Sequence, residues 1–293
     1  MNTTPHLADT GQPAPSFQPG TGELWRVSAY SRAGVNHAVN QDSLAFRSPD
    51  AFVVADGVGG GARGDIASAM LAKGLSALYQ PDEPAVDMAI SSLDKDIASK
   101  LNKLGEEAGA SVVACIWRLD GSAGEYLASW VGDCQISHWK KPPSANWELS
   151  WQSIEQSYEH CGLQPPAGVS LQSPANMVGC GMGLPVSHQR LKFDSNERIV
   201  LSSDGFWRSV SAAQLGNFMN QFSDQLPVNA AEQLCAMALQ SFSEDDITVL
   251  VVEQIIKQRQ FDWTTMYNRF NVVIAAGLLL ALSVLLWLAW GQI

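Results

Sequence analysis

The sequence has few of the features that mark several common classes of protein. It contains only five cysteines among its 293 residues, widely spaced and without a Cys-x-x-Cys pair, so neither a disulfide framework nor a zinc site is indicated. The formal net charge is -11 and no basic stripe is present, which argues against a nucleic-acid partner. The N-terminus lacks a basic start followed by an apolar core, so a secretory signal peptide is not predicted.

The glycine-rich segment at residues 52–61 (FVVADGVGGG) is the stretch around which the chain is organised. It lacks the Gly-Lys-Ser/Thr ending of a P-loop and the GxGxxG spacing, which disfavours nucleotide binding. Its Val-rich start is typical of a buried strand, and the pair Asp56 and Gly57 favours a sharp turn where that strand stops. The glycines leave room for an ion or a phosphate to approach the backbone.

The same pattern, an apolar run next to an acidic residue, recurs along the chain. Asp133 and Asp204 each follow an apolar run, and Asp245 lies in the acidic group 244–246 just before another. Carboxylates gathered with Asp56 on one rim of a sheet core would repel one another without a cation. Mg²⁺ and Mn²⁺, which prefer oxygen ligands, are the ions that fit such a set.

Hydrophobic patterns predict an α+β domain. Strands are predicted at residues 24–30, 43–46, 51–55, 111–119, 125–131, 134–139, 189–202 and 247–253. Helices are predicted at residues 66–78, with Asp65 as the N-cap, and at 85–104, 211–222 and 228–242. Residues 141–175, rich in Pro, Ser and Gln, are predicted to form a surface flap with one short helical segment. Strand hairpins interleaved with helix pairs favour two helix layers around an antiparallel sheet core.

The C-terminal end carries an uncharged apolar run at residues 272–290. This is close to the ~20 residues that cross the hydrocarbon core as a helix. Lys257, Arg259 and Arg269 lie on its N-terminal side, so the positive-inside tendency places the preceding domain in the cytoplasm. We therefore expect a single-pass protein of the inner (plasma) membrane.

Composition divides the chain into four segments. We expect a disordered leader at residues 1–22, a folded domain at 23–255, a juxtamembrane linker at 256–270 and a transmembrane helix at 271–290.

Six short segments, in order, resemble the metal-dependent Ser/Thr protein phosphatases of the protein phosphatase 2C type in their bacterial form. They are residues 34–42 (GVNHAVNQD), 54–60 (VADGVGG), 109–111 (GAS), 131–133 (VGD), 201–205 (LSSDG) and 245–248 (DDIT). The resemblance covers about residues 24–253 and implies a four-layer α-β-β-α sandwich of two antiparallel sheets flanked by helices. It also implies two Mn²⁺ or Mg²⁺ ions at one end, with an optional third.

The resemblance assigns roles to individual residues. Asp56 would bridge the two ions, and Gly57 would contribute its backbone carbonyl. Asp204 and Asp245 would complete the shell of one ion. In addition, Asp133 corresponds to the residue that supports the third ion, and Asp42 corresponds to one that holds metal-bound water. Two such ions lower the pKa of a bridging water for in-line attack on phosphorus, without a covalent enzyme intermediate.

Three positions depart from the pattern of the family. The usual phosphate-gripping Arg is His37, the usual Glu is Gln41, and the usual Ser-Arg pair after Gly-Asp is Cys134 with Gln135. A protonated His contacts phosphate without the bidentate fork of Arg. Weak phosphate binding, altered substrate preference and loss of activity are all compatible with these changes. Cys134 lacks a basic partner and is predicted to be a packed thiol.

The resemblance and the apolar run at 272–290 together lead to the hypothesis of a membrane-tethered phosphatase, which removes phosphate from Ser/Thr side chains of proteins and opposes a Ser/Thr kinase. The alternative from another class is a pseudo-phosphatase, a membrane-anchored binding or scaffold module that keeps the fold without turnover. A third is a membrane sensor whose tail does more than anchor the domain.

Overall fold

The computed structural model describes residues 6–7, 18–19, 24–58, 63–106, 109–119, 124–143, 145–194, 197–222 and 225–255. All of them lie within one compact unit that ends at Ile256. The predicted linker at 256–270 and the predicted transmembrane helix at 271–290 lie outside the described residues. Within these ranges, no helix has both the length and the apolar character needed to cross a bilayer.

Two six-stranded antiparallel sheets form the centre of the fold. The first contains, in spatial order, β1 (His6–Leu7), β4 (Ser43–Arg47), β5 (Ala51–Val58), β6 (Ala110–Arg118), β7 (Glu125–Val131) and β10 (Ser187–Lys192). The second contains β2 (Gln18–Pro19), β3 (Leu24–Arg32), β12 (Ile247–Ile255), β11 (Glu197–Ser202), β8 (Gln135–Lys140) and β9 (Glu148–Gln152).

Helices cover the outer face of each sheet. They are α1 (Gly64–Ser76) and α2 (Glu83–Leu104) on the first sheet, and α5 (Ala212–Gln221) and α6 (Ala230–Gln240) on the second. Two further helices, α3 (Tyr158–Cys161) and α4 (Asp204–Trp207), have four residues each. One hydrophobic cluster joins α1 and α2 to the first sheet, another joins α5 and α6 to the second, and a third lies between the sheets. The predicted four-layer arrangement of two antiparallel sheets flanked by helices is confirmed.

Burial on both faces explains the apolar sequence of the central strands. In β5, Phe52 and Val54 pack in the cluster between the sheets, whereas Val53 and Ala55 pack in the cluster with α1 and α2. Successive side chains of a strand point to opposite faces, so both sets of residues must be apolar. The strand therefore reads as a continuous apolar run rather than as an alternating one.

The two helices on the first sheet begin differently. The side chain of Asp82 accepts a hydrogen bond from the Ala85 amide at the start of α2, as an N-cap does. The prediction that Asp65 caps α1 was wrong, because the N-cap is Arg63 and Asp65 lies in the first helical turn. Gly64 is already helical there, and a Cβ on it would lie 2.8 Å from the backbone of Gly57, so the helix starts early to pack against β5.

Three strand predictions were incomplete. The run at 189–202 is two strands, and β10 joins the first sheet while β11 joins the second. Similarly, β5 continues past the expected turn at Asp56 and pairs with β6 as far as Val58. The expected flap contains the edge strand β9, which pairs with β8 alone. An edge strand tolerates polar residues, and those of β9 were therefore interpreted as a loop.

Two strands fall within the predicted leader. Both β1 and β2 are two residues long and add to the edges of the sheets. The other residues of the segment 1–22 lie outside the description, so its disorder and the domain boundaries stay predictions.

A buried arginine joins the parts of the second sheet and its helix. The Arg198 side chain is 1% exposed, and its Nε lies 3.1 Å from Glu253 Oε2 on the neighbouring strand. Its Nη1 and Nη2 donate to the carbonyls of Met219 and Phe222 at the end of α5, and its guanidinium stacks 3.9 Å from the Trp147 ring centroid. The guanidinium therefore caps the C-terminal end of α5, where it donates to the Phe222 carbonyl and adds a second bond to the Met219 carbonyl, which already accepts from the Phe222 amide.

We expect Arg198→Met to lower the free energy of unfolding by about 3 kcal/mol. The Phe222 carbonyl would lose its side-chain donor, and Glu253 would keep the more distant Arg26, 3.7 Å from its Oε1, as its charged partner. The measurement is urea unfolding of the full chain followed by tryptophan fluorescence. The matched control is Arg190→Met on β10, whose side chain is 59% exposed and pairs only at the surface with Glu83. Its cost should stay within about 1 kcal/mol. Equal losses in the two variants would contradict the prediction.

Candidate functional site

A cleft of about 590 Å³ opens at one end of the sandwich, where strands of both sheets end. Its lining consists of Asn36, His37, Ala38, Val39, Gln41, Asp56, Gly57, Val58, Asp133, Pro174, Asp204, Asp245 and Asp246. Both β5 and β7 run antiparallel to β6, so their C-terminal ends meet at the same edge. In the second sheet, the end of β11 lies beside the start of β12. Strand direction thus brings Asp56, Asp133, Asp204 and Asp245 together.

The backbone around Asp56 is held in place by neighbouring segments. Ser111 Oγ donates a hydrogen bond of 2.7 Å to the carbonyl of Asp56, and the amide of Gly57 donates one of 3.1 Å to the carbonyl of Gln41. A Cβ on Gly57 would lie 2.5 Å from the carbonyl carbon of Gly64. Only glycine fits at this position, which keeps the backbone beside Asp56 free of side chains.

The carboxyl groups of the cleft destabilise one another's charged forms. Burial, with repulsion from neighbouring carboxylates, raises the pKa of Asp56 well above its usual range and also raises the pKa of Asp204. Burial and the charge of Asp204 raise the pKa of Asp133 to about 7. The charge of Arg208 and the side chain of Asp56 offset part of the rise at Asp204. These groups therefore favour protons or cations between them at neutral pH.

Asp42 lies behind the cleft and is not among the residues that line it. Its residue surface is 7% exposed, and burial raises its pKa to about 8. The hydroxyl groups of Thr248 and Ser203 offset part of this rise, but neither carboxylate oxygen has a hydrogen bond of normal geometry. The Thr248 hydroxyl lies instead 2.7 Å from that of Ser31. The role of Asp42 in holding water stays a prediction.

Asp246 organises the loop that carries His37. Its carboxylate accepts hydrogen bonds of 2.7 Å from the amides of Gly34 and Gln41, and its Oδ1 lies 2.8 Å from His37 Nδ1. His37 Nδ1 is also 3.9 Å from Asp245 Oδ1, and 43% of the His37 side chain is exposed. The ring is thereby fixed through Nδ1, which leaves Nε2 for the cleft. Sequence reasoning noticed the acidic group 244–246 but gave Asp246 no role.

Arg208 is a second functional candidate that sequence reasoning missed. Its Nη2 donates to Asp133 Oδ2 at 3.0 Å, and its Nε lies 3.2 Å from Asp204 Oδ2. Arg208 follows Asp204 by four residues, which is the spacing of ion pairs on a helix. That spacing was the available signal.

Cys134 is buried next to the carboxylates of the cleft. Burial, together with the charge of Asp56, raises the pKa of its thiol well above the usual range. The reactive form of a cysteine is the thiolate, which this environment disfavours. The prediction of a packed thiol is confirmed.

The carboxylates do not form a ready-made ion site. Among the side chains that the structure describes, no group of three or more His, Cys, Asp or Glu residues is arranged to hold a metal ion. The predicted ligand set relies partly on the Gly57 carbonyl and on water, so side chains alone do not complete it. The structure thus shows the convergence of Asp56, Asp204 and Asp245 on one cleft, and their binding of metal stays a prediction.

No protein-family model matches the sequence, and no curated protein matches it significantly. Solved structures do match the fold. PppA, a key regulatory component of T6SS in Pseudomonas aeruginosa, is 23% identical with a TM-score of 0.63, and the match covers 79% of this chain and 98% of that one. The Mycobacterium tuberculosis serine/threonine phosphatase PstP/Ppp is 21% identical with a TM-score of 0.62, over 78% and 98% of the two chains.

A structure of the catalytic domain of PstP in complex with 2 manganese ions is 20% identical, with a TM-score of 0.60 over 80% and 99% of the two chains. The chain therefore has the fold of metal-dependent Ser/Thr phosphatases.

We expect Asp246→Ala to release the loop at residues 34–41, because the amides of Gly34 and Gln41 lose a charged acceptor. Hydrogen exchange of those amides should accelerate at least about tenfold, since each charge-assisted bond is worth about 1.5–3 kcal/mol. Hydrogen exchange with mass spectrometry measures this in the full chain. The control is Glu244→Ala, an exposed neighbour, which should leave exchange in this loop unchanged. Unaltered protection in Asp246→Ala would contradict the role given to Asp246.

Proposed function

We propose that this chain is a metal-dependent phosphatase that hydrolyses phosphoserine and phosphothreonine in proteins. The observation that carries the proposal is the meeting of Asp56, Asp204 and Asp245 on one cleft. They come from segments far apart in the sequence and lie at the ends of strands from both sheets. The shared fold with Ser/Thr phosphatases supports this reading.

The residues present fit a pair of divalent cations. Asp56, Asp204, Asp245 and the carbonyl of Gly57 offer the oxygen ligands that Mn²⁺ and Mg²⁺ prefer. Burial and, after it, repulsion from neighbouring carboxylates raise the pKa of Asp56 and Asp204, and a cation placed between such groups would remove the repulsion. Bound ions would supply an activated water and neutralise charge on the phosphate.

The chain's own residues would orient the substrate. His37 lines the cleft and is held through Nδ1 by Asp246, so in its protonated form its Nε2–H would be the donor for a phosphate oxygen. The absence of a side chain at Gly57 lets β5 lie directly against the backbone of Gly64, which keeps the segment beside Asp56 in place. With Cys134 buried as a thiol, the described cleft residues provide no activated thiolate, in keeping with direct attack by water.

One observation favours a second function. His37 stands where an Arg grips the phosphate in the family that the sequence resembles, and its Nδ1 is already engaged by Asp246. A single remaining nitrogen gives a weaker grip than a bidentate guanidinium. The second candidate is therefore a pseudo-phosphatase that binds phosphoproteins as a scaffold without turnover.

We further propose that the domain is tethered to the inner membrane, faces the cytoplasm and opposes a Ser/Thr kinase. The support is the uncharged apolar run at 272–290 and the basic residues before it. A tether would concentrate the phosphatase near membrane-associated phosphoproteins, which are the substrates we propose.

With Mn²⁺, the full chain in detergent should hydrolyse an aryl phosphate and a phosphothreonine peptide. Asp56→Asn and Asp204→Asn should each lower kcat by about 100-fold or more, because each removes a charged ligand of the ions that would activate the water and neutralise the phosphate. The matched control is Asp96→Asn, an exposed position on α2 that should keep wild-type activity. Bound Mn²⁺ without turnover, measured by equilibrium dialysis, would refute the enzyme and favour the scaffold.

The full chain should float with anionic lipid vesicles in a density gradient, because the apolar run at 272–290 inserts. A chain cut after Asp262 should stay at the bottom of the same gradient. Equal flotation of the two chains would refute the tether. If the cut also changes the specific activity, the tail acts as a sensor in addition to an anchor.

A further inference from the structure

Three carboxylates surround one guanidinium beside the cleft. Arg208 Nη2 donates to Asp133 Oδ2 at 3.0 Å and lies 3.7 Å from Glu155 Oε2, while its Nε lies 3.2 Å from Asp204 Oδ2. We name these four residues the Arg208 corner. It lies beside the carboxylates that the proposed function uses, and it includes Asp133, where the resemblance implies a third metal ion.

The carboxylates of the Arg208 corner are largely buried, so their charge must be balanced by a nearby group. The side chains of Asp133 and Glu155 are 4% and 14% exposed, so water screens them poorly. Glu155 Oε1 is occupied by the Ser157 hydroxyl and by His160 Nδ1, but its Oε2 has no hydrogen-bond partner and lies nearest to Arg208. Buried carboxylates of this kind require a cation nearby.

The guanidinium is locked in position by contacts outside the corner. Arg208 Nη2 also donates to the carbonyl of Gln172 at 2.9 Å, and its Cζ lies 4.6 Å from the Trp207 ring centroid. Trp207 Nε1 in turn donates to the carbonyl of Asp133 at 2.8 Å. Arg208 thus joins the segment around Gln172, α4 and the end of β7, which is more than a chance surface ion pair would do.

We infer that Arg208 is the resident cation of this corner, and that no third metal ion binds at Asp133. An ion on Asp133 would share its carboxylate with a guanidinium already 3.0 Å away, and two like charges would face each other in a poorly hydrated site. The guanidinium also neutralises one side of the Asp204 carboxylate. The other side is left for the ions that Asp204 would hold together with Asp56 and Asp245 under the proposed function. The inference rests on the proposed function in one respect, which is the number of ions expected at the other carboxylates of the cleft.

The test is the number of Mn²⁺ ions bound per full chain in detergent, measured by equilibrium dialysis and elemental analysis. The wild-type number should be about two. Arg208→Ala should bind one ion more, because Asp133, Asp204 and Glu155 then face a space without a cation. Arg208→Ala combined with Asp133→Asn should return to the wild-type number. The exposed control Arg190→Ala should also match the wild type.

A second variant keeps the test independent of whether Arg208→Ala folds. Asp133→Asn in the otherwise unchanged chain should bind as many ions as the wild type. A lower number would overturn the inference, because it would show an ion on Asp133. A folded Arg208→Ala chain that gains no ion would overturn it as well.

The outcomes also separate this inference from the proposed function. A wild-type chain that binds no Mn²⁺, with one ion gained in Arg208→Ala, would refute the two-ion site while supporting the role of Arg208. A wild-type chain that binds two ions and needs them for turnover, with none gained in Arg208→Ala, would support the two-ion site and refute the role of Arg208.

Discussion

The crowding of four aspartates at one end of the sandwich is the constraint on which the rest of the site depends. Asp56, Asp133 and Asp204 are removed from water far enough that their pKa values rise, and Asp245 adds charge at the rim. A fold keeps such a cluster only if something compensates it, since isolated buried charges are costly. The structure supplies one compensating cation itself, the guanidinium of Arg208, and the proposed divalent ions would compensate the remaining carboxylates.

The scaffold serves this cluster through strand direction and close backbone contacts. Strands from both sheets end at the same edge, and Gly57 lets that edge lie directly against the start of α1. Asp246 extends the arrangement outward, because its carboxylate gathers the amides of the loop that carries His37. Sheet ends therefore hold the aspartates, while a loop whose amides are gathered by the Asp246 carboxylate holds His37. Under the proposed function, such a division would suit a site that keeps fixed charges and admits varied phosphoproteins.

The success of sequence reasoning varied with the range of the interactions involved. The central strands and the helices α2, α5 and α6 were predicted within a few residues, because apolar spacing and caps such as Asp82 are local signals. The edge strand β9 was missed because one-sided pairing tolerates polar residues. Asp65 was misassigned as a cap because the packing of Gly64 against Gly57, and not a local preference, sets the start of α1.

By itself the sequence determined the α+β class, the order of the central strands and of the four longer helices, and the acidic residues that border apolar runs, because these follow from patterns within a few neighbouring residues. Only the tertiary structure decided which acids meet and what neutralises them. The bond from Arg208 to Asp133 spans 75 residues, and those from Asp246 to the amides of Gly34 and Gln41 span more than 200. Contacts over such separations leave no periodic trace in a single sequence, since they exist only once the sheets have paired.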